Sequence, residues 1–249
     1  GNQLIQIARE KAGIIKRNIP VAVGLQKKTV ATYLKKIILN KKLKHMIEGK
    51  DFIVEEKKKG VFWVHELNSG KKFLFKTGLL GRHQMHNAAL AWATIKFLPL
   101  TYNLKKLQKS ILKTSLPARI EIIKGSYRDA KLIFDVAHNL DKIEGLLKTL
   151  TEQYPNRSFV FIIGLMKDKE YSKILNRLLK YSKHVFFVTL HTHRSLKGDE
   201  LKPSLKKKIT CVESMKDAIT QANRLHLENK TICVTGSFYA IEAMSKMMK

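Results

Sequence analysis

The chain has 249 residues, of which 44% are hydrophobic, and it carries a formal net charge of +28. This length suits one large domain or two ordinary ones, each with its own hydrophobic core. No apolar run approaches the roughly 18 residues of a membrane-spanning helix, and no signal-peptide pattern precedes the first helix. The composition therefore argues against a membrane partner. Because the sequence opens at Gly1 rather than at methionine, we expect it to be an excerpt of a longer protein or a processed chain.

The positive charge at first suggests a polyanionic partner. The basic residues are 39 lysines and 9 arginines, and the lysines are spread along the whole chain. Proteins that read nucleic-acid sequence rely on arginine for bidentate base contacts, so diffuse lysine is more typical of solvated faces. A nucleic-acid partner is therefore not expected, although a basic α/β nucleic-acid-binding module remains the alternative from another class of function.

The two cysteines, Cys211 and Cys233, lie in apolar, strand-like runs. Two cysteines in a chain of this length do not make a disulfide framework, and they fit a reducing, cytoplasmic location. We interpret both as small core residues.

The first part of the chain alternates between helical and strand-like patterns. Apolar spacing and breaker residues predict, in chain order, a helix through Lys11 that ends at Gly13, a strand at 20–24, a helix at 29–40, strands at 52–54, 61–64 and 73–75, a loop at 78–87, and helices at 88–98 and 103–114. Pro117 ends the last helix, because proline cannot continue one. This places a domain boundary near residue 116, with one domain at 1–115 and a second at 116–249.

The second domain alternates more regularly. Strand candidates lie at 120–123, 132–134, 159–163, 185–190, 209–212 and 231–234, and amphipathic helices lie between most of them. Strands that alternate with helices predict an α/β fold with a Rossmann-like, mostly parallel sheet.

The stretch Leu132–Leu140 is the most informative part of this domain. Three apolar residues lead into Asp135, His138 and Asn139, and an amphipathic helix follows, so the polar residues fall in a turn at the carboxyl end of a strand. Such turns are where open α/β sheets bind ligands. Asn139 or Asp141 could equally serve only as a helix cap. Asp135 is harder to explain structurally, because a charge directly after a buried strand is costly unless it is paired or used.

Known short motifs do not identify a function in this sequence. The sequence contains neither a Gly-x-x-x-x-Gly-Lys-Ser/Thr phosphate loop nor a Gly-x-Gly-x-x-Gly dinucleotide fingerprint. His191 and His193 lack convincing metal-ligand spacing, so we interpret them as loop histidines.

Five longer segments carry a family resemblance when they are taken together and in order. They are Ile7-Ala-Arg-Glu-Lys-Ala-Gly-Ile-Ile-Lys16, Gly81-Arg-His-Gln-Met-His-Asn-Ala88, Leu116-Pro-Ala-Arg-Ile-Glu121 leading into Phe134-Asp-Val-Ala-His-Asn139, Gly164-Leu-Met-Lys-Asp-Lys169, and Gly236-Ser-Phe-Tyr239. In this order the chain strongly resembles the folylpolyglutamate synthase / dihydrofolate synthase family, which is related to the Mur ligases.

The resemblance implies a fold and an extent. Residues 1–115 would be the last part of the central P-loop-type ATPase domain, and 116–249 would be the C-terminal Rossmann-like Mur ligase domain. The phosphate loop, most magnesium ligands and much of the pterin pocket would lie in an amino-terminal portion outside this sequence. The chain departs from the family at Ala118, where glycine is usual, and at Leu140, where proline often follows Asn139.

The resemblance also implies an activity. The whole enzyme would be an ATP- and Mg²⁺-dependent amide ligase that adds L-glutamate to dihydropteroate or to folate through an acyl phosphate. It would act as a monomer when complete, and residues 1–249 alone would be inactive. A decayed, non-catalytic ligase remnant is the other alternative.

Particular residues take roles from the same resemblance. Arg119 matches a phosphate-side catalytic cation that also contacts ATP, and Asn87 and Asp135 match positions that contact ATP. His138 is a catalytic and substrate-binding candidate, and Ser237 is a second candidate for the glutamate end. Lys11 matches the lysine that the family carries as a carbamate, which would be a catalytic metal ligand.

Overall fold

The computed structural model describes residues 3–99, 102–123 and 130–248. The chain divides into two compact units, Gly1–Ser115 (unit 1) and Leu116–Lys249 (unit 2). The division falls next to Pro117, where the ring fixes the backbone and removes a hydrogen-bond donor. Among the described residues, no helix has both the length and the apolar character needed to cross a membrane.

Unit 1 combines four helices with five strands in its described part. In chain order they are α1 (Leu4–Ala12), β1 (Val21–Val23), α2 (Lys28–Asn40), β2 (His45–Ile47), β3 (Phe52–Lys58), β4 (Val61–Glu66), β5 (Lys72–Lys76), α3 (Arg82–Ile95) and α4 (Leu104–Lys113). Strands β1 and β2 pair in parallel, and β3, β4 and β5 form an antiparallel meander. The strand β2 was not predicted from the sequence.

The core of unit 1 lies between the meander and α3. Phe52, Phe62, Phe75 and Trp92 are almost completely buried there, and the rings of Phe52 and Trp92 meet edge to face with centroids 5.8 Å apart. Aromatic rings of this size contribute most of the apolar area that a small core can bury.

The predicted loop at 78–87 is wrong in its second half, because α3 already begins at Arg82. Gly81, with φ of 104°, stands at the N-cap, and the buried Met85, Ala89 and Trp92 then follow helical spacing. The polar stretch before Ala88 hid this periodicity in the sequence. Asn87 is therefore a helical residue and not a loop residue.

Unit 2 is an α/β unit. Its elements are β6 (Glu121–Ile122), β7 (Lys131–Phe134), α5 (Leu140–Gln153), β8 (Ser158–Ile163), α6 (Tyr171–Leu179), β9 (Val185–Val188), a short 3₁₀ helix (Gly198–Glu200), α7 (Pro203–Lys206), β10 (Thr210–Val212), α8 (Met215–Arg224), β11 (Lys230–Thr235) and α9 (Phe238–Met247). The sheet order is β10-β9-β8-β11-β7-β6, and every pairing is parallel except that of β6 with β7. This confirms the predicted α/β fold with a mostly parallel sheet.

The helices of unit 2 cover both faces of this sheet. Side chains from α8 and α9 form one core cluster with alternate residues of the strands, among them Phe134 and Val234. The intervening strand residues, such as Ile133 and Cys233, point to the opposite face and are fully buried as well. Helices α5 and α6 pack against each other and cover that second face.

This arrangement gives the sheet a topological switch point at the carboxyl ends of β7 and β11, the kind of position where open parallel sheets form a ligand-binding crevice. Strands β7 and β11 are neighbours, yet β7 leads into α5 on one face while β11 leads into α9 on the other. The chain therefore departs in opposite directions from adjacent carboxyl ends, and in open parallel sheets ligands bind at such a point.

Candidate active site

The turns after β7, β11 and β8 meet at this crevice. The carbonyl oxygen of Ala137 accepts hydrogen bonds from the Gly236 N–H at 3.0 Å and from the Thr235 hydroxyl at 3.2 Å. The Gly164 N–H donates in turn to the Thr235 carbonyl at 3.4 Å. Backbone groups that no longer pair within the sheet are thus satisfied between the turns, which fixes the turns relative to one another.

Gly236 makes this close approach sterically feasible. Its φ is 101°, and a Cβ at this position would lie 2.4 Å from the Gly164 carbonyl oxygen and 2.7 Å from Cγ1 of Ile163. Only glycine accepts both the positive φ and the short distance without displacing backbone. The glycine in the Gly236-Ser-Phe-Tyr239 segment therefore has a structural explanation.

Arg119 lies in a strained segment that Asp135 holds in place. The residues on either side, Ala118 and Ile120, have φ of 54° and 52°. Asp135 Oδ2 accepts from the Ile120 N–H at 3.0 Å, and its Oδ1 accepts from the Ala137 N–H at 2.8 Å. Two left-handed residues that are not glycine cost about 1–2 kcal/mol each. Strain of this kind persists where surrounding contacts enforce it, and it concentrates at functional sites.

Asp135 is buried, and burial raises the pKa of its carboxyl group above the ordinary value. The two backbone N–H groups and the nearby charge of Arg119 act in the opposite direction. The structure therefore gives this acid a positioning role: it ties the turn after β7 to the segment that carries Arg119. The suggested contact of Asp135 with ATP stays a prediction.

The hydrogen bonds of His138 define its protonation. Its Nδ1 lies 2.8 Å from the carbonyl oxygen of Val136, which can only accept, so Nδ1 carries the proton. Its Nε2 lies 3.3 Å from the ammonium nitrogen of Lys142 and accepts from it. Burial, followed by the positive charges of Lys142, Lys169 and Arg119, lowers the pKa of His138. His138 is thus a neutral imidazole in a positive environment.

Lys142 and Lys169 extend the site beyond the residues predicted from the sequence. Burial and then Arg119 lower the pKa of Lys142, while Asp135 raises it. Lys169 pairs with Asp168 at 2.7 Å, and that contact is the main reason why the pKa of Asp168 is lowered. Three cations, Arg119, Lys142 and Lys169, therefore lie near the single buried carboxyl group of Asp135, and such an excess of positive charge suits an anionic ligand. The sequence offered one signal for Lys142, a lysine in a first helical turn where acids are ordinary.

Ser237 and Asn139 both serve as helix caps. The Ser237 hydroxyl accepts from the Ala240 N–H at 3.1 Å, and Asn139 Oδ1 accepts from the Lys142 N–H at 2.9 Å. Both side chains therefore satisfy N–H groups of a first helical turn that otherwise have no partner. Ser237 is buried in this role, and its suggested contact with glutamate stays a prediction.

The other two predicted site residues belong to unit 1. Asn87 is exposed on α3, where its Nδ2 donates to Gln84 Oε1 at 3.0 Å, so its own amide oxygen is available to a ligand. Lys11 is exposed in the last turn of α1.

No group of three or more His, Cys, Asp and Glu that could hold a metal occurs within the described ranges. We assign no reaction step to a metal ion. His191 and His193 are exposed, as predicted, whereas the exposed Cys211 contradicts its interpretation as a core residue.

The pKa of His138 has a consequence for stability. Because the folded protein lowers this pKa below its unfolded value of about 6.5, the unfolded chain takes up a proton first as the pH falls. The contribution of His138 to stability is present above that value and is lost below it. We expect urea unfolding of His138→Gln to depend less on pH than that of the wild type between about pH 7 and about pH 5. His193→Gln, which removes an exposed imidazole outside the cluster, is the control, and equal pH dependence of the two variants would contradict this prediction.

The fold defines unit 2 as an α/β domain with a mostly parallel sheet, and residues 118–238 match the family model described as "Mur ligase, glutamate ligase domain". The match covers most of unit 2, which is therefore similar in sequence to the glutamate ligase domain of Mur ligases. Over its whole length the chain is 26% identical to the dihydrofolate synthase/folylpolyglutamate synthase of Bacillus subtilis, and it spans 59% of that relative.

Two solved structures are similar in fold. The folylpolyglutamate synthase of Mycobacterium tuberculosis complexed with ADP has a TM-score of 0.85 at 22% identity, and the match covers 100% of this chain and 59% of that one. The bifunctional folylpolyglutamate synthase/dihydrofolate synthase of Yersinia pestis, complexed with AMPPNP and Mn ion, has a TM-score of 0.82 at 19% identity, with 100% and 58% covered. The chain thus spans 58–59% of the length of these three proteins.

Proposed function

We propose that this chain is the C-terminal part of an ATP-dependent amide ligase that adds L-glutamate to dihydropteroate, to folate or to both. One observation carries the proposal: a glutamate ligase domain presents Arg119, His138 and Lys142 together in the crevice at its strand ends. The names of its relatives supply the substrate class.

The proposed reaction makes an amide in two steps. A carboxylate oxygen of the pteroate or folate attacks the γ-phosphorus of ATP, the bond to the β,γ-bridging oxygen breaks, and ADP leaves. The amine of glutamate then attacks the acyl carbon, the bond to the phosphate oxygen breaks, and the nitrogen loses a proton. ATP supplies the activated leaving group, and positioning with charge stabilisation is what a protein contributes to such a transfer.

The residues of unit 2 divide these tasks. Arg119 provides positive charge for phosphate oxygens, and a guanidinium suits them because its fork of donors matches their geometry. Asp135 is the positioning residue that holds the strained Arg119 segment through the Ile120 N–H. His138 is neutral, and its Nδ1 proton is donated to the Val136 carbonyl. Its Nε2 therefore faces Lys142. We assign His138 and Ser237 to the glutamate end of the site.

Phosphate release tests this function. The natural protein that contains this chain should release phosphate from ATP only when glutamate and a pteroate or folate are both present. Residues 1–249 alone should show no such release, because they contain no phosphate-loop motif to hold the β- and γ-phosphates. Glutamate-dependent release by residues 1–249 would contradict this prediction, and no release by the natural protein would favour the non-catalytic remnant.

The net charge of +28 is the observation that favours the second candidate, a basic nucleic-acid-binding module. Such binding weakens steeply with salt, because each neutralised phosphate releases counterions. Duplex binding that persists at physiological salt, in a protein without ligase activity, would support the module instead.

Lys11 is proposed to carry a carbamate, as its motif implies. A carbamate turns the lysine into an anion, and arginine cannot reproduce an anion although it keeps the positive charge. We therefore expect Lys11→Arg to lose as much activity in the natural protein as Lys11→Ala does. Lys16, which donates to the Gly13 carbonyl at 3.0 Å, offers the control variant Lys16→Arg with ordinary activity. Near-normal turnover of Lys11→Arg would end the carbamate proposal.

A further inference from the structure

Lys142 occupies a place that is unfavourable for a lysine. It is the third residue of α5, and the amino end of a helix carries partial positive charge. The first turn of α5 also contains Asp141, the ordinary type of residue there. Lys142 is exposed, yet partial desolvation and the charges of Arg119 and Lys169 lower its pKa, while Asp135 acts in the opposite direction. A cation kept against the helix dipole and against two other cations calls for a negatively charged ligand.

The geometry leaves the ammonium group able to bind such a ligand. One N–H of Lys142 is directed at Nε2 of His138, at 3.3 Å, and an ammonium group has three. The one acid among the groups that shift its pKa is Asp135, whose two oxygens already accept from Ile120 and Ala137. Lys142 is thus oriented by His138 while its remaining donors stay available.

We propose that Lys142 is a specificity-determining residue of this site and binds a carboxylate of the incoming amino acid. The inference rests on the proposed function, and it adds a residue that determines which amine the enzyme accepts. The imidazole that orients Lys142 belongs to His138, which we assigned to the glutamate end of the site. A lysine presents a compact point charge, which suits a single carboxylate. Arg119 is the bidentate donor of the cluster and suits phosphate better.

Steady-state kinetics of the natural protein test this assignment. Lys142→Gln should raise the KM for glutamate by about tenfold or more, since a hydrogen bond to a charged group contributes roughly 1.5 kcal/mol or more. The KM for ATP should stay within about twofold, and Lys142→Arg should recover part of the loss in glutamate affinity. Lys148→Gln removes the same charge from an exposed part of α5, where Lys148 pairs with Glu152 at 3.9 Å, and should leave both constants unchanged.

The outcomes separate this proposal from its alternatives. A rise in the KM for ATP alone would assign Lys142 to the phosphates and overturn the proposal, as would unchanged constants. Absence of glutamate-dependent turnover in the wild type would instead reject the proposed function. NMR titration of His138 provides a readout without turnover: Lys142→Gln removes a charge that lowers the pKa of His138, so that pKa should rise. An unchanged His138 titration would show that the two side chains do not interact, and it would also overturn the proposal.

Discussion

Gly236→Ala is expected to destabilise unit 2 by about 3 kcal/mol or more, because the new methyl group would meet backbone in a conformation that disfavours any side chain. The φ of 101° and the distance of 2.4 Å from the built Cβ to the Gly164 carbonyl oxygen leave no room for a local adjustment. The effect should appear as a lower midpoint of urea unfolding.

Gly145→Ala is the matched control for this substitution. Gly145 lies in α5, and a Cβ there would meet nothing within 4 Å. Alanine should therefore stabilise the helix by up to about 1 kcal/mol. If Gly236→Ala were as stable as the wild type while Gly145→Ala behaved as expected, the close approach of the turns after β8 and β11 would be wrong.

Arg119→Ala is expected to reduce kcat/KM of the natural protein by on the order of a hundredfold, because it would remove the cation that we propose stabilises charge developing on the phosphate. The stability of unit 2 should change little, because Asp135 is bonded to backbone N–H groups that the substitution leaves in place. The single-turnover rate would measure the effect on catalysis, and a urea unfolding curve would measure the effect on stability.

Arg224→Ala controls for the loss of an arginine. Arg224 is exposed in the last turn of α8 and should be dispensable for turnover. An Arg119→Ala enzyme within about threefold of the wild type, a difference of roughly 0.65 kcal/mol, would mean that Arg119 only braces its strained segment.

Local patterns predicted most elements of unit 2, because its buried strands and amphipathic helices leave a strong period in the sequence. The strand at 132–134 and the helix behind it are examples, observed as β7 and α5. Among the elements that were missed or predicted too short, three have a clear physical reason. The strand β2 spans only His45–Ile47, α3 has a polar first turn, and α9 follows directly after β11 with no loop signal except Gly236 and Ser237.

The site was predictable only in its motif residues. The turn with Asp135 and His138 could be placed at a strand end from sequence alone, and the structure brings Arg119 to the same turn. What each residue touches was not predictable. Asp135 accepts from Ile120, a residue 15 positions away, and Ala118 has a left-handed backbone that glycine would adopt more readily. Lys142 resembled other surface lysines, and Lys169 stood in a motif without a role of its own, until the fold placed both near His138.

An isotope-transfer measurement tests the central claim most directly, namely that the natural protein containing this chain joins glutamate to a carboxylate activated as an acyl phosphate. The carboxylate oxygens of dihydropteroate, or of folate, are labelled with a heavy oxygen isotope, and the products formed with ATP and glutamate are analysed by mass spectrometry. We expect the product to gain one glutamyl residue and the released phosphate to carry one labelled oxygen from the carboxylate. Unlabelled phosphate, or phosphate release without a glutamyl product, would contradict it.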